Sequence, residues 1–356
     1  MIDFFFSCIE TNMMKTVVVT GGCGFIASHT AVELLQQNYI VHLFENLSNS
    51  KMDVFQGIKE IVPGKEHNLF FHFVDLCNKE ELYQVFESIA FVDAVFHFAG
   101  VSSISESIEH PLHYYETNVT SSMNLLSVMK TFHCQTILFS SSATVYGNSP
   151  SPLVEETSLT GYGIASPYGQ TKHMIEKIMY DEYLSDPNWK MIVLRCFNSI
   201  GAHHSGKIGE DPTQLSKNLM PSIVKVAGGE LPHVCVYGND FETPDGTGVR
   251  DYVHVMDLAE GHVAALHYTD SVDCPFYDVF NLGHGHGTSV LEMLTIMDQI
   301  VEKTIPFQLT DRRPGDTDTR VSDPSKANRV LQWRSNRSIE TMCLDSWMFY
   351  QKQNTI

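Results

Sequence analysis

Cations are scarce in this sequence. Its 356 residues include 23 Lys and Arg against 42 Asp and Glu, a formal charge of −19 at pH 7. A phosphate backbone is held by a basic face, so nucleic acid is excluded as a partner. Long apolar runs are also missing. A bilayer span needs about 18 apolar residues in a row, and none is present. Neither C-x-x-C nor H-E-x-x-H occurs, and Cys8, Cys23, Cys77, Cys134, Cys196, Cys235, Cys274 and Cys343 are scattered without a regular spacing. They read as reduced thiols of a cytoplasmic protein rather than as a disulfide frame. His203-His204 and His284-Gly285-His286-Gly287 lie in glycine-rich loops at spacings ill suited to tetrahedral ligation, so no metal is expected. Phe4-Phe5-Phe6 has no basic stretch before it, so residues 1–14 read as an N-terminal extension and not as a signal peptide.

What the sequence does have is a regular alternation. The β-branched run 16–20 predicts a strand that enters Gly21-Gly22-Cys23-Gly24-Phe25-Ile26-Ala27, with a helical pattern to Leu35. Strand, glycine turn and helix form the setting of a dinucleotide fingerprint. Gly22 is expected to allow the tight turn, and Gly24 to let backbone approach a pyrophosphate at the helix N-terminus. A second strand, 40–44, ends at Glu45, 23 positions after Gly22. That is near the ~20 expected of the acid that holds the adenosine ribose, and a carboxylate there favours NAD over NADP.

Strands follow at 69–74, 94–98, 136–139 and 191–194. The first ends at Asp75, expected to face adenine. The second runs into Ala99-Gly100 and the third into Ser140-Ser141-Ser142. Helices are expected at 79–88, at 112–132 around Asn118, and at 167–184. Such alternation implies right-handed βαβ units, hence an α/β fold with a Rossmann-type doubly wound parallel sheet. Residues 199–249 are loop-rich and open a smaller C-terminal α/β domain. The expected division is a cofactor domain over 15–198 and a substrate domain over 199–356, partly interleaved with the first.

Tyr168 and Lys172 stand four apart in Ser166-Pro167-Tyr168-Gly169-Gln170-Thr171-Lys172, on one face of a helix one turn apart. A phenol with pKa near 10 must lose about 3 units to act as a base at neutral pH, and a neighbouring ammonium favours that loss.

Three motifs together, Gly21-Gly22-Cys23-Gly24, Ser140-Ser141-Ser142-Ala143-Thr144-Val145-Tyr146-Gly147 and the Tyr168/Lys172 stretch, resemble the extended short-chain dehydrogenase/reductases. Finer matches resemble the UDP-glucose 4-epimerase family. These are Phe197-Asn198 with Gly201-Ala202-His203, Asn218-Leu219-Met220-Pro221, the run from Asp245 to Ala259, and Arg312-Arg313-Pro314-Gly315-Asp316. The resemblance extends from about residue 15 to about residue 350.

The resemblance implies bound NAD as hydride carrier and interconversion of UDP-glucose and UDP-galactose through a transient 4-keto sugar, in galactose metabolism. It makes Tyr168 the base, lowered by Lys172 and by the nicotinamide, with Ser142 shuttling the proton of the sugar 4-hydroxyl. It places Gly21, Gly24, Phe25, Ile26, Glu45 and Asn46 at the cofactor, together with Asp75, Leu76, Phe98, Ala99, Gly100 and Asn118. Ser140, Tyr168, Lys172 and Phe197 join them at the nicotinamide end. On the substrate it places Ser142, Thr144, Tyr168, Asn198, Asn218 and Leu219, then Tyr237, Arg250, Tyr252, Arg313 and Asp316, with the two arginines on the diphosphate. It also implies a homodimer through the helices around 112–132 and 167–184.

The sequence departs from the family pattern in four places. Glu45 replaces the usual Asp, Ser102 a common Lys, and Cys196 a common Tyr. Arg320 stands where a smaller or aromatic residue gates room for an N-acetyl group. Dehydratases of the same superfamily carry acids, commonly Asp-Glu, where this sequence has Ala143-Thr144.

Overall fold

A computed structural model describes residues 14–157, 160–211, 218–313 and 315–354. The expected extension lies outside the described residues but for Met14, as does Pro314.

Six strands, β1 (Thr16–Thr20), β2 (Ile40–Glu45), β3 (Leu69–Phe73), β4 (Ala94–His97), β5 (Thr136–Ser142) and β6 (Lys190–Cys196), build most of a seven-stranded parallel sheet. Its order is β3-β2-β1-β4-β5-β6, closed by a strand from late in the chain, Phe276–Leu282. This is the doubly wound arrangement expected. The strands are apolar on both faces because both are covered. Val17 and Val19 pack into one core with Ala31, Leu35 and Leu258, on the side of helices Phe25–Gln36 and Val255–Ser271. Val18 turns to the other core with Phe86, Met129 and Ile175, under helices Lys79–Ser88, Ser121–Thr131 and Pro167–Ser185.

The helix expected at 112–132 is one run with a wide turn inside it. A π-helical stretch, Tyr115–Thr120, separates Pro111–Tyr114 from Ser121–Thr131 and carries Asn118. Such turns recur at functional sites.

The second part of the molecule has its own core. Leu219–Ala227, Val290–Val301 and Ile339–Asn354 pack Ile223, Met293 and Met342 together. Four short strands, Asn198–Ile200, Val249–His254, Gly287–Ser289 and Thr319–Arg320, form a small sheet, and Val234–Tyr237 pairs with Phe307–Thr310. The stretch 199–249 is therefore more regular than its composition implies. Pro221 is tolerated because it falls in the first turn of its helix. Between these pieces the chain returns to the large sheet at Phe276–Leu282, paired to β6 from Phe276 opposite Lys190 to Leu282 opposite Cys196. Among the described residues no helix is long and apolar enough to cross a membrane.

Candidate active site

β1 and β4 are adjacent, where the strand order reverses, and a crevice opens there at the carboxyl ends of the strands. Gly21 takes the left-handed conformation, φ +64°, and a Cβ on it would lie 2.9 Å from Cα of Ala99. The two loops that follow β1 and β4 thus touch backbone to backbone. The tight turn belongs to Gly21, not to Gly22 as expected. Gly22 is small because a Cβ there would come within 2.7 Å of Cβ of Leu43. Gly24 opens helix Phe25–Gln36 with no side-chain cap, so a ligand anion can take the first-turn amides around Phe25 and Ile26.

Glu45 is buried, and its carboxylate ties this turn to the end of β2. Oε2 accepts from Cys23 N at 3.0 Å, and Oε1 from the amides of Asn46 at 2.9 Å and Leu47 at 2.8 Å. Asp75 lies beyond β3 and accepts from the Cys77 amide at 2.8 Å, beside buried Leu76. Across the crevice the amides of Phe98 and Ala99 donate to Thr20 Oγ1, each at 3.2 Å. Asn118 pins the loop that follows Gly100. Its Oδ1 accepts from Val101 N at 2.8 Å, and its Nδ2 donates to Val101 O and Thr171 Oγ1, both at 3.0 Å. Ser102 is exposed on the same loop. The bare helix start, the close backbone approach and the carboxylate at the end of β2 fit a dinucleotide.

Ser166 caps helix Pro167–Ser185 by accepting from the Gly169 amide at 3.2 Å. Tyr168, Lys172 and Glu176 follow at successive turns, all buried. Lys172 Nζ donates to the Ser140 carbonyl at 2.7 Å and lies 4.7 Å from the Phe139 ring centroid and 6.0 Å from that of Tyr168. Burial lowers the ammonium to about 8, while Cys196 and Glu176 pull it up. Burial also raises Tyr168 to about 12, and a hydrogen bond with Ser142 pulls it down. The lowering expected from Lys172 does not appear: burial dominates, Cys196 adds to the rise, and the protein's own groups leave the phenol protonated at pH 7. Ser142 Oγ accepts from Thr144 N at 3.2 Å. Thr144 Oγ1 is buried and has no partner among the described residues, an unmet donor and acceptor beside Ser142. Cys196 sits behind Lys172, its Sγ 3.5 Å from Ser140 Oγ, with burial raising its thiol to about 11.

The second cluster lies on the small sheet. Arg250 Nη2 stands 3.6 Å from Asp316 Oδ1, and Arg313 Nε donates to Asp316 Oδ2 at 3.1 Å. The Arg313 guanidinium lies 4.6 Å from the Tyr237 ring centroid. One carboxylate therefore joins the two expected phosphate ligands. Asn198 is exposed and pairs in register with buried Tyr252. Phe197, buried just before it, donates its amide to Leu282 O at 3.1 Å. Asn218 precedes helix Leu219–Ala227 and donates to Glu210 Oε1 at 3.3 Å, while Leu219 packs into the same core as Tyr252. Burial raises Glu210 to about 7.

Residues outside the sequence reading complete the site. Glu176 pairs with Arg195, Oε2 to Nη2 at 2.8 Å, and accepts from Ser141 Oγ at 2.5 Å. The pair braces the end of β5 between Ser140, which holds Lys172, and Ser142. The four-residue period Tyr168, Lys172, Glu176 was the available signal for Glu176. Arg195 comes from another strand, and no local pattern marks it.

The family model described as GDP-mannose 4,6 dehydratase matches residues 18–346. UDP-glucose 4-epimerase 2 of Arabidopsis thaliana is 46% identical over 338 residues, 94% of this chain and 95% of the relative. The UDP-glucose 4-epimerase of Bacillus subtilis is 46% identical over 332 residues, 93% of this chain and 95% of the relative. The crystal structure of UDP-glucose 4-epimerase from Bifidobacterium longum, in complex with NAD+ and UDP, superposes with a TM-score of 0.89 at 43% identity, covering 96% of this chain and 99% of that one. The chain belongs to the family that the dehydratase model describes and, within it, to the UDP-glucose 4-epimerases.

Proposed function

We propose that this chain interconverts UDP-glucose and UDP-galactose by inverting C4 of the hexose, and that it serves galactose metabolism in the cytoplasm. The observation that carries the reading is the placement of Tyr168, Ser142 and Lys172 beside a dinucleotide crevice, with Arg250 and Arg313 on the adjoining small sheet. The enzyme is an NAD-dependent isomerase. When bound, NAD accepts the hydride of C4 and returns it.

The chain's own residues handle the proton and the position of the sugar. Tyr168 Oη takes the proton of the 4-hydroxyl through Ser142 Oγ and gives it back to the same oxygen. A phenol raised to about 12 returns that proton readily, and it takes the proton only with added positive charge nearby. Lys172 holds the nicotinamide ribose and keeps its ammonium against the Ser140 carbonyl. Gly21, Gly24, Phe25, Ile26 and Glu45 hold the adenosine diphosphate end, with Asp75 towards adenine. Arg250 and Arg313 grip the substrate diphosphate as bidentate donors, with Asp316 on the uridine ribose. The division of labour proposed is 15–198 for cofactor and 199–356 mainly for nucleotide sugar. Exposed Leu112, Met123, Met174 and Leu184 on the helices around 112–132 and 167–184 support a homodimer formed there.

A dehydratase reading is disfavoured because Ala143 and Thr144 supply no acid next to Ser142. Purified protein is incubated separately with UDP-galactose, UDP-N-acetylgalactosamine and UDP-glucuronate, and products are identified by NMR. UDP-glucose from the first is expected. No conversion, or a product lighter by one water, sinks the assignment.

A further inference from the structure

Arg320 stands directly across from Arg250 in the small sheet, the two being register partners on adjacent parallel strands. Side chains so paired emerge on the same face, and like charges facing each other there are destabilising. Among the described residues the carboxylate that acts on both is Asp316, which already pairs with Arg250 and Arg313. Arg312 does not belong to this cluster, since Asp240 and Asp318 pair with it. Three guanidinium groups thus share one carboxylate.

Arg320 also reaches the other half of the site. Its Nη2 donates at 2.8 Å to the carbonyl of Gly147, in the turn that starts at Ser142. Its guanidinium therefore joins the strand that carries Arg250 to the turn that Ser142 opens. These are the two elements that a substrate reaching from Arg250 to Ser142 would join. Burial lowers Arg320 to about 10, Arg250 lowers it further and Asp316 raises it, as expected of a cation short of anions.

We propose that Arg320 is a third arginine of the diphosphate clamp, engaging the phosphate that carries the sugar. A nucleoside diphosphate sugar bears one negative charge on each phosphate. Arg250 and Arg313 set against Asp316 neutralise one of them, and Arg320 neutralises the other. With one donor held by Gly147, the rest of the planar fork remains for phosphate oxygens. This role rests on the nucleotide-sugar reading above and adds a ligand that the motif comparison placed only as a steric gate.

The test is calorimetric titration of NAD-loaded protein with UDP and with UMP, for the wild type, Arg320→Gln and Arg320→Lys. UMP lacks the second phosphate, so it separates a phosphate contact from a general loss of shape. Arg320→Gln is expected to weaken UDP by about tenfold or more and UMP by no more than about twofold, with Arg320→Lys between. Equal weakening of UDP and UMP, or no weakening of either, overturns the proposal. Turnover of UDP-galactose by the wild type is followed in parallel. A wild type that binds UDP through Arg320 yet converts no sugar overturns the proposed reaction and leaves the clamp standing.

Discussion

The two halves of the site are built from different materials. At the cofactor crevice, backbone does most of the shaping: Gly21 against Ala99, a bare helix start at Gly24, and a Glu45 carboxylate fixed by three amides. At the small sheet the shaping is done by side-chain charge, three arginines around Asp316 with a surplus of cations. A backbone-built site is complete before its ligand arrives. A charge-built one is balanced only when an anion enters it. The first should be insensitive to salt and sensitive to any added Cβ, and the second the reverse.

Tyr168 is the proposed acid–base group, so its removal is the largest effect expected. Tyr168→Phe should lower kcat by about 10²–10⁴-fold, the range of a positioned acid–base group, with UDP affinity unchanged by calorimetry. Arg250→Ala comes next, weakening UDP by about 10–100-fold, the span of a hydrogen bond to a charged group. NAD content, measured as nucleotide released on denaturation, should not change. Gly21→Ala is the mirror of that experiment. Holding a non-glycine residue at φ +64° costs about 1–2 kcal/mol before the contact with Ala99 is counted. It should lower Tm and NAD content while sparing UDP binding. If Arg250→Ala strips NAD as readily as Gly21→Ala, the contrast between the halves is wrong.

Smaller effects sharpen the contrast. Lys172 is lowered to about 8 in the folded protein, against a usual value near 10.4. The unfolded chain therefore holds more protons between these values, so folding stability gains with pH across that window relative to Lys172→Met. Urea titrations from pH 7 to pH 10 read the gain. Over the same range activity should fall as the ammonium is lost. Last, raising salt from about 0.05 to 0.5 M should weaken UDP binding measurably and leave NAD retention unchanged.

Local features were legible in the sequence. The glycine turn, the Tyr168/Lys172 pair and Ser142 lie within single short motifs whose spacing states their geometry. What the sequence hid depends on partners far along the chain. Arg320 reads from the sequence only as a bulky residue at the gate for an N-acetyl group, and the register that sets it across from Arg250 lies outside any local motif. Glu176 becomes meaningful only when β6 brings Arg195 to it. The reversal between Gly21 and Gly22 has the same origin, since Leu43 and Ala99, not the turn itself, decide which glycine needs which freedom. The phenol likewise reads as a base from its neighbour in sequence, whereas burial by residues from several elements sets its resting state.

The late strand Phe276–Leu282 also bears on the order of synthesis. It covers the outer edge of β6 and is held through Asn281, whose amide donates to Glu155 Oε1 at 2.8 Å and whose Oδ1 accepts from Tyr146 Oη at 2.6 Å. A nascent chain that has emerged only as far as Arg250 presents six strands with the β6 edge open, and open edges invite pairing with other chains. The large sheet therefore closes only after most of the residues proposed to bind substrate have been made, which ties the two halves together in time as well as in space.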